Sequence, residues 1–142
     1  MTDDQQLLGW LALGLTLRLT PTAEGGRHKS VWGHDPYKPY SYRPNWGLPG
    51  MTGIEQAGAM VLSLGSVPFA PGDTTKAVIV PFASGSLFLW QQVKPGDDLR
   101  MFEGARICGT AVVEWVAPIE RPLAQEDATR FTSWAQGQGD PP

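Results

Sequence analysis

Between Leu11 and Thr20 every second residue is leucine (Leu11, Leu13, Leu15, Leu17, Leu19), and Ala12, Gly14, Thr16, Arg18 and Thr20 fill the places between. A period of two puts all five leucines on one face of an extended chain, whereas a helix would scatter them around its circumference. The segment is expected to be a half-buried strand, and a strand needs paired neighbours to be stable. The rest of the chain is suited to supply them. It contains 17 Gly and 13 Pro, which interrupt it every few residues and leave little room for long helices.

Reading on from the first strand, Glu24-Gly25-Gly26 supplies a turn, and the stretch from Arg27 to Trp46, broken by Pro36, Pro39 and Pro44, reads as loop plus a short strand. Met60, Leu62 and Leu64 alternate again. Thr75 to Phe82 is a β-branched run ending near a turn at Ser84-Gly85, and Leu87 to Trp90 reads as a further short strand. Lys94-Pro95-Gly96-Asp97 repeats the turn chemistry of Pro71-Gly72-Asp73 and precedes a strand from Leu99 to Phe102. Arg106 to Val116 is the last strand, with Ile107, Gly109, Ala111, Val113 and Trp115 expected on one face. About six or seven short strands without interleaved helices imply an antiparallel barrel or sandwich. After Pro118 the chain turns polar. Leu123 to Trp134 is expected to form a short helix docked by Leu123, Phe131 and Trp134, followed by a frayed, disordered Gly-Gln-Gly-Asp-Pro-Pro tail. The expected organisation is one all-β domain over residues 1–118, with the helix and tail in 119–142.

A chain of 142 residues can bury a single core without staples. With 42% hydrophobic and 18% charged residues, it has the composition of a folded domain. A net charge of −3 weighs against a dedicated nucleic-acid binder, because neutralising phosphates normally takes a basic face. The single cysteine, Cys108, can form no intramolecular disulfide and belongs to no Cys pair, which fits a reduced, cytoplasmic setting. Leu7 to Leu19 is apolar, but Asp3 and Asp4 stand where a signal peptide would be basic. No run approaches the roughly 20 apolar residues of a membrane span. Neither export nor membrane insertion is expected.

Catalytic patterns are weak. Cys108 lies mid-strand between Ile107 and Gly109, where a thiol packs as a small hydrophobe. No phosphate loop, nucleophile elbow or motif-framed carboxylate pair occurs. His28, His34 and Asp35 lack the further soft ligands of a zinc site. No enzymatic activity, metal or cofactor is expected.

Four short motifs in order carry a resemblance: Glu24-Gly25-Gly26-Arg27-His28, Tyr42-Arg43-Pro44, Pro71-Gly72-Asp73 and Glu103-Gly104-Ala105-Arg106 with Gly109. In this order they resemble the C-terminal domain of translation elongation factor Tu, over roughly residues 10 to 116 of this chain. The resemblance implies a closed six-stranded antiparallel barrel without its GTPase. It also implies that Arg27, His28, Asn45, Glu103 and Gly104 stand where the family holds the tRNA backbone. Asn45 replaces a Gln of the family, Phe102 replaces an Arg, and Gly33 to Ser41 is an insertion between the first two motifs. A purely architectural alternative pairs Arg27 with Glu103 or Glu24 to close the barrel.

The loop that contains the insertion is rich in aromatic residues: Trp32, Tyr37, Tyr40, Tyr42 and Trp46 stand among Lys29, Lys38 and Arg43. Such residues on a surface loop anchor protein interfaces and also stack on bases. Alternatively Tyr42 and Trp46 belong to a strand and face the core. The favoured expectation is a non-catalytic module that binds a protein partner through Arg27, His28, Trp32, Tyr37, Tyr40, Arg43, Asn45, Glu103 and Gly104, as an immunity or accessory factor would. The second expectation is an RNA-binding module that meets tRNA backbone through Arg27, His28, Lys29 and Arg43.

Overall fold

A computed structural model of the chain describes residues 10–31, 42–81, 86–120 and 123–142. Six strands form the framework: β1 (Leu11–Leu19), β2 (Asn45–Gly47), β3 (Ala57–Leu64), β4 (Thr74–Pro81), β5 (Asp98–Glu103) and β6 (Arg106–Pro118). They close in the order β1-β4-β3-β2-β5-β6, with antiparallel pairing at every seam. The expected closed six-stranded antiparallel barrel is therefore the fold of this chain. The alternating leucines of β1 form one wall of its interior, and all five are buried.

Strands that follow one another in sequence run in opposite directions, yet β1–β2 and β4–β5 are not neighbours in the sheet. Each of those connections must therefore cross one end of the barrel. The β1–β2 connection crosses the end where β5 turns into β6. It pairs there with the β3–β4 connection through Val31 and Phe69, whose backbones exchange hydrogen bonds of 2.8 Å. The β4–β5 connection crosses the opposite end, where Trp90 and Val93 are buried in the same core as the leucines. Both open ends of the cylinder are thus stoppered by apolar side chains, and the barrel is a packed core with no channel.

Leu87–Trp90 is not the strand expected from sequence. It is one turn of helix, α1, within the β4–β5 connection. Four consecutive apolar residues carry no periodicity, so helix and strand cannot be separated on pattern alone. Tertiary context decides here: Trp90 turns into the barrel while Phe88 and Leu89 face outward.

Three bulges modify the alternation. Leu15 pairs with Val113 but Gly14 pairs with Trp115, so Glu114 is an extra residue on β6. Trp115 consequently leaves the interior face it was expected to share with Gly109, Ala111 and Val113, and lies on the outside of the barrel. A second extra residue, Cys108, takes the interior place expected for Ile107, which is exposed instead. The third, Leu62 on β3, separates Leu62 from Leu64: Leu64 faces the interior and Leu62 the outer apolar cluster.

That outer cluster is the seat of helix α2 (Gln125–Ala135). Phe131, Trp134 and Ala135 are buried against Val78, Val80, Leu62 and Trp115, with Leu123 packed beside them as expected. Trp115 stands 5.1 Å from the Phe131 ring, and 5.2 Å from Trp134 in an edge-on arrangement. Its indole lies over Gly14, where a methyl group would overlap the ring. Helix α2 ends in a Schellman turn: Gly137 N and Gln138 N donate to Trp134 O and Ser133 O, with Gly137 at φ +76°. The first residues of the C-terminal tail are tied down by these bonds.

Candidate functional site

Register and connectivity place all four sequence motifs at one end of the barrel. Glu24-Gly25-Gly26-Arg27-His28 lies in the β1–β2 connection, Tyr42-Arg43-Pro44 leads into β2, Pro71-Gly72-Asp73 leads into β4, and Glu103-Gly104-Ala105-Arg106 is the β5–β6 hairpin. Local geometry explains their glycines. Gly25 adopts φ +97°, and any side chain on Gly26 would overlap the Thr20 carbonyl. The tight turn that follows β1 therefore needs both residues. Gly104 opens a two-residue hairpin at φ +63°, as such hairpins require. The Pro-Gly-Asp turn is fixed to the end of β1 by Gly72 N donating to Leu19 O at 2.9 Å and Leu19 N donating to Asp73 O at 3.0 Å.

These turns bring three side chains together. Arg27 Nε lies 3.5 Å from Glu103 Oε2, with the two side chains 21% and 27% exposed. Tyr42 Oη donates to the same Glu103 oxygen at 2.6 Å, and the Arg27 guanidinium is 5.7 Å from the centre of the Tyr42 ring. Burial, and then the bond to Glu103, push the Tyr42 phenol far above its ordinary range. It stays protonated and donating at any neutral pH. Of the pairings expected from sequence, Arg27 with Glu103 is the one formed, and Glu24 is exposed. Beneath the triad is Cys108, whose thiol is pushed up to about 11, first by burial and then by the charge of Glu103.

This arrangement can close the barrel mouth, and it engages Arg27 against a carboxylate rather than presenting it outward. His28, Lys29, Arg43, Asn45, Gly104 and Arg106 are exposed around it. Asn45 is the first residue of β2 and pairs with Phe102. Phe102, in the place where the resemblance implies an Arg, is buried on the outer side of β5 with the Arg100 guanidinium 5.5 Å from its ring. Trp46 belongs to β2 and faces the core, its indole Nε1 donating to Ala59 O at 3.1 Å. Tyr42 is half-buried against the same core. Trp32, Tyr37 and Tyr40, like His34 and Asp35, lie outside the described residues; their segment leaves at Val31 and returns at Tyr42. Among the described residues no three His, Cys, Asp or Glu side chains converge as metal ligands, and no helix is long and apolar enough to cross a membrane.

A second feature, at the opposite end, escaped sequence reasoning. The β2–β3 connection and the residues of and after α1 enclose a groove of about 340 Å³, walled by Leu48, Pro49, Met51, Leu89 and Val93 and bordered by Glu55 and Gln92. Leu89, in its wall, is 43% exposed, and two chain neighbours of lining residues are exposed apolar side chains, Phe88 at 69% and Ile54 at 68%. The one sequence signal was the run Leu87-Phe88-Leu89-Trp90, more apolar than a connection requires. Because it read as a strand, no exposed face was expected from it.

A shallower depression of about 400 Å³ lies on the outer face of β1, β5 and β6, among Thr16, Arg18, Asp98, Arg100, Thr110 and Val112. Thr16 Oγ1 donates to Glu114 on the same face. Charges of both signs alternate over it, with no convergence on a single chemistry. Compared with known proteins, this chain matches no protein-family model and no curated protein.

Proposed function

We propose that this chain is a non-catalytic interaction module, a free-standing barrel that captures a protein partner. The observation that carries the reading is the apolar surface around α1. Phe88, Leu89 and Ile54 stand in solvent beside a groove with apolar walls. Grouped exposed apolar side chains of this kind mark interaction sites, and covering a large one is worth about 1.5–3 kcal/mol. Arg27, His28, Arg43, Asn45, Glu103 and Gly104 gather at the other end and offer a second contact, to which we add, on sequence alone, Trp32, Tyr37 and Tyr40. The non-catalytic part of the reading is supported by Cys108, whose raised pKa and burial make it a poor nucleophile at neutral pH.

A second reading, binding to tRNA backbone as the resemblance to elongation factor Tu implies, is favoured by the exposure of His28, Lys29, Arg43 and Arg106 at one end. It ranks lower because Arg27 is paired with Glu103. The two readings differ in their response to salt, since phosphate contacts weaken steeply as ions are added and an apolar interface does not. The test is a pull-down from native cell extract at low and high salt, with protein and RNA both identified. Two variants run alongside, Phe88→Asp and the double change Trp32→Ala with Tyr37→Ala. A protein retained at high salt and lost with either variant, while the melting temperature is unchanged, is the expected result. Salt-labile tRNA, captured equally by both variants, would transfer the assignment to RNA.

A further inference from the structure

We infer that the groove beside α1 receives a short cationic, apolar segment of a partner protein, with one apolar side chain between Met51 and Leu89 and an adjacent Lys or Arg on Glu55. This rests on the protein-partner reading and names the chemistry of the partner.

Three observations select that occupant. The walls, Leu48, Met51, Leu89 and Val93, offer a guest only hydrocarbon and a thioether, so what enters must be apolar. At the border, Glu55 is the only charged side chain among the described residues that line the groove. Its carboxylate is held in place because Oε1 accepts from Thr52 N at 2.7 Å and from Thr52 Oγ1 at 3.1 Å. The same bonds keep its pKa below the ordinary range, so the charge persists through any mildly acidic or neutral pH. Among the described residues, the connections and strand starts at this end carry Glu55, Asp97, Asp98 and Glu120 against Lys94 and Arg100. Arg100 is engaged by the protein itself, donating to Met51 O at 3.2 Å with its guanidinium over the Phe102 ring. Glu55 is thus the charge that a guest meets at the border, and it favours a basic residue beside the apolar anchor.

The third observation is extent. Phe88 and Ile54, next in the chain to the lining residues Leu89 and Glu55, are exposed and are not part of the groove's walls. A small solute filling 340 Å³ would leave them wet. A peptide segment that anchors one side chain and runs over the lip covers them.

The test is selection from a random dodecapeptide phage library on the immobilised full chain, followed by affinity measurement of the enriched peptides against wild type, Leu89→Asp and Glu55→Gln. The expected peptides carry an apolar residue within a few positions of Lys or Arg. Leu89→Asp abolishes their binding. Glu55→Gln weakens it by up to about 5-fold, the range of an exposed ion pair. Amide shifts on titration fall on Leu48, Met51, Leu89 and Val93. Peptides that are acidic or uncharged, peptides indifferent to Leu89→Asp, or no enrichment above an uncoated control would each overturn the inference. It fails separately from the broader reading. If the native partner is lost with the Trp32 and Tyr37 changes but kept by Leu89→Asp, the interaction module stands and the groove is not its site.

Discussion

Replacing Gly14 by alanine tests the account of why Trp115 lies outside the barrel. The indole rests on the bare backbone of Gly14, and an added methyl would overlap its ring atoms. Trp115 must then tilt or lift, and it is also the ring on which Phe131 and Trp134 pack at 5.1 and 5.2 Å. Forcing a methyl into a filled site costs about 1–3 kcal/mol. Each aromatic contact disturbed adds about 0.5–1.5 kcal/mol. With partial relaxation the expected total is about 2–4 kcal/mol, or roughly a 10 °C fall in melting temperature for a domain of this size. Urea unfolding followed by tryptophan fluorescence reads it directly. The decisive comparison is the same change made in Trp115→Ala, where the methyl enters vacated space. There Gly14→Ala should be neutral, or stabilise by up to about 1 kcal/mol by restricting the unfolded chain. The cycle therefore predicts a coupling of at least about 2 kcal/mol between the two positions. An equal cost in both backgrounds, or a cost below about 0.5 kcal/mol in wild type, would refute the steric argument.

Two further predictions concern the barrel mouth. Tyr42→Phe removes a hydrogen bond to the Glu103 carboxylate and should cost about 1.5–3 kcal/mol by chemical denaturation; a neutral result would mean that water replaces the phenol without loss. The Cys108 thiol has a raised pKa in the folded state, so its contribution to stability is complete below about pH 9 and is lost as the pH rises towards about 11. Tyr42 adds a loss of the same sign at higher pH. Cys108→Ala should flatten the first part of that decline, and wild type should react slowly with a disulfide reagent at pH 8. Rapid labelling of the native protein at that pH would contradict the burial.

The parts of this fold that were legible in sequence are those where local pattern and tertiary position agree. The leucines of β1 pack inward on a strict period of two because no bulge interrupts that strand's own alternation. Phe131 and Trp134 dock helix α2 as their spacing implies. The errors about which face a strand residue occupies have a common physical origin, distinct from the lack of periodicity that hid α1. Glu114, Cys108 and Leu62 each add one residue to a strand without altering the apparent alternation of the sequence. Side chains beyond them change face, and nothing in a hydropathy pattern marks the place. At the mouth, a carboxylate partner for Arg27 is legible from residue types, because a part-buried Arg needs one, but the choice between Glu103 and Glu24 is made only by the fold. Tyr42 as a third member was not anticipated, since its position depends on how the β1–β2 connection returns across the barrel. The groove was illegible for the same reason: its walls come from two connections separated by some forty residues, and only the closed barrel brings Met51 and Leu89 together.

The pairing of β1 with β6 has an architectural consequence. Ile119 N donates to Trp10 O at 2.9 Å, so the chain enters the barrel and leaves it at neighbouring points on the same rim. Helix α2 then carries the chain along the outer face of β3 and β4 to the other rim, where Ala135 O lies beside Gly65. The described chain therefore begins at one rim and finishes its last helix at the other. A tether attached at Trp10 would hold the barrel by the rim that carries the groove and present Arg27, Tyr42 and Glu103; one attached beyond Gly137 would do the reverse.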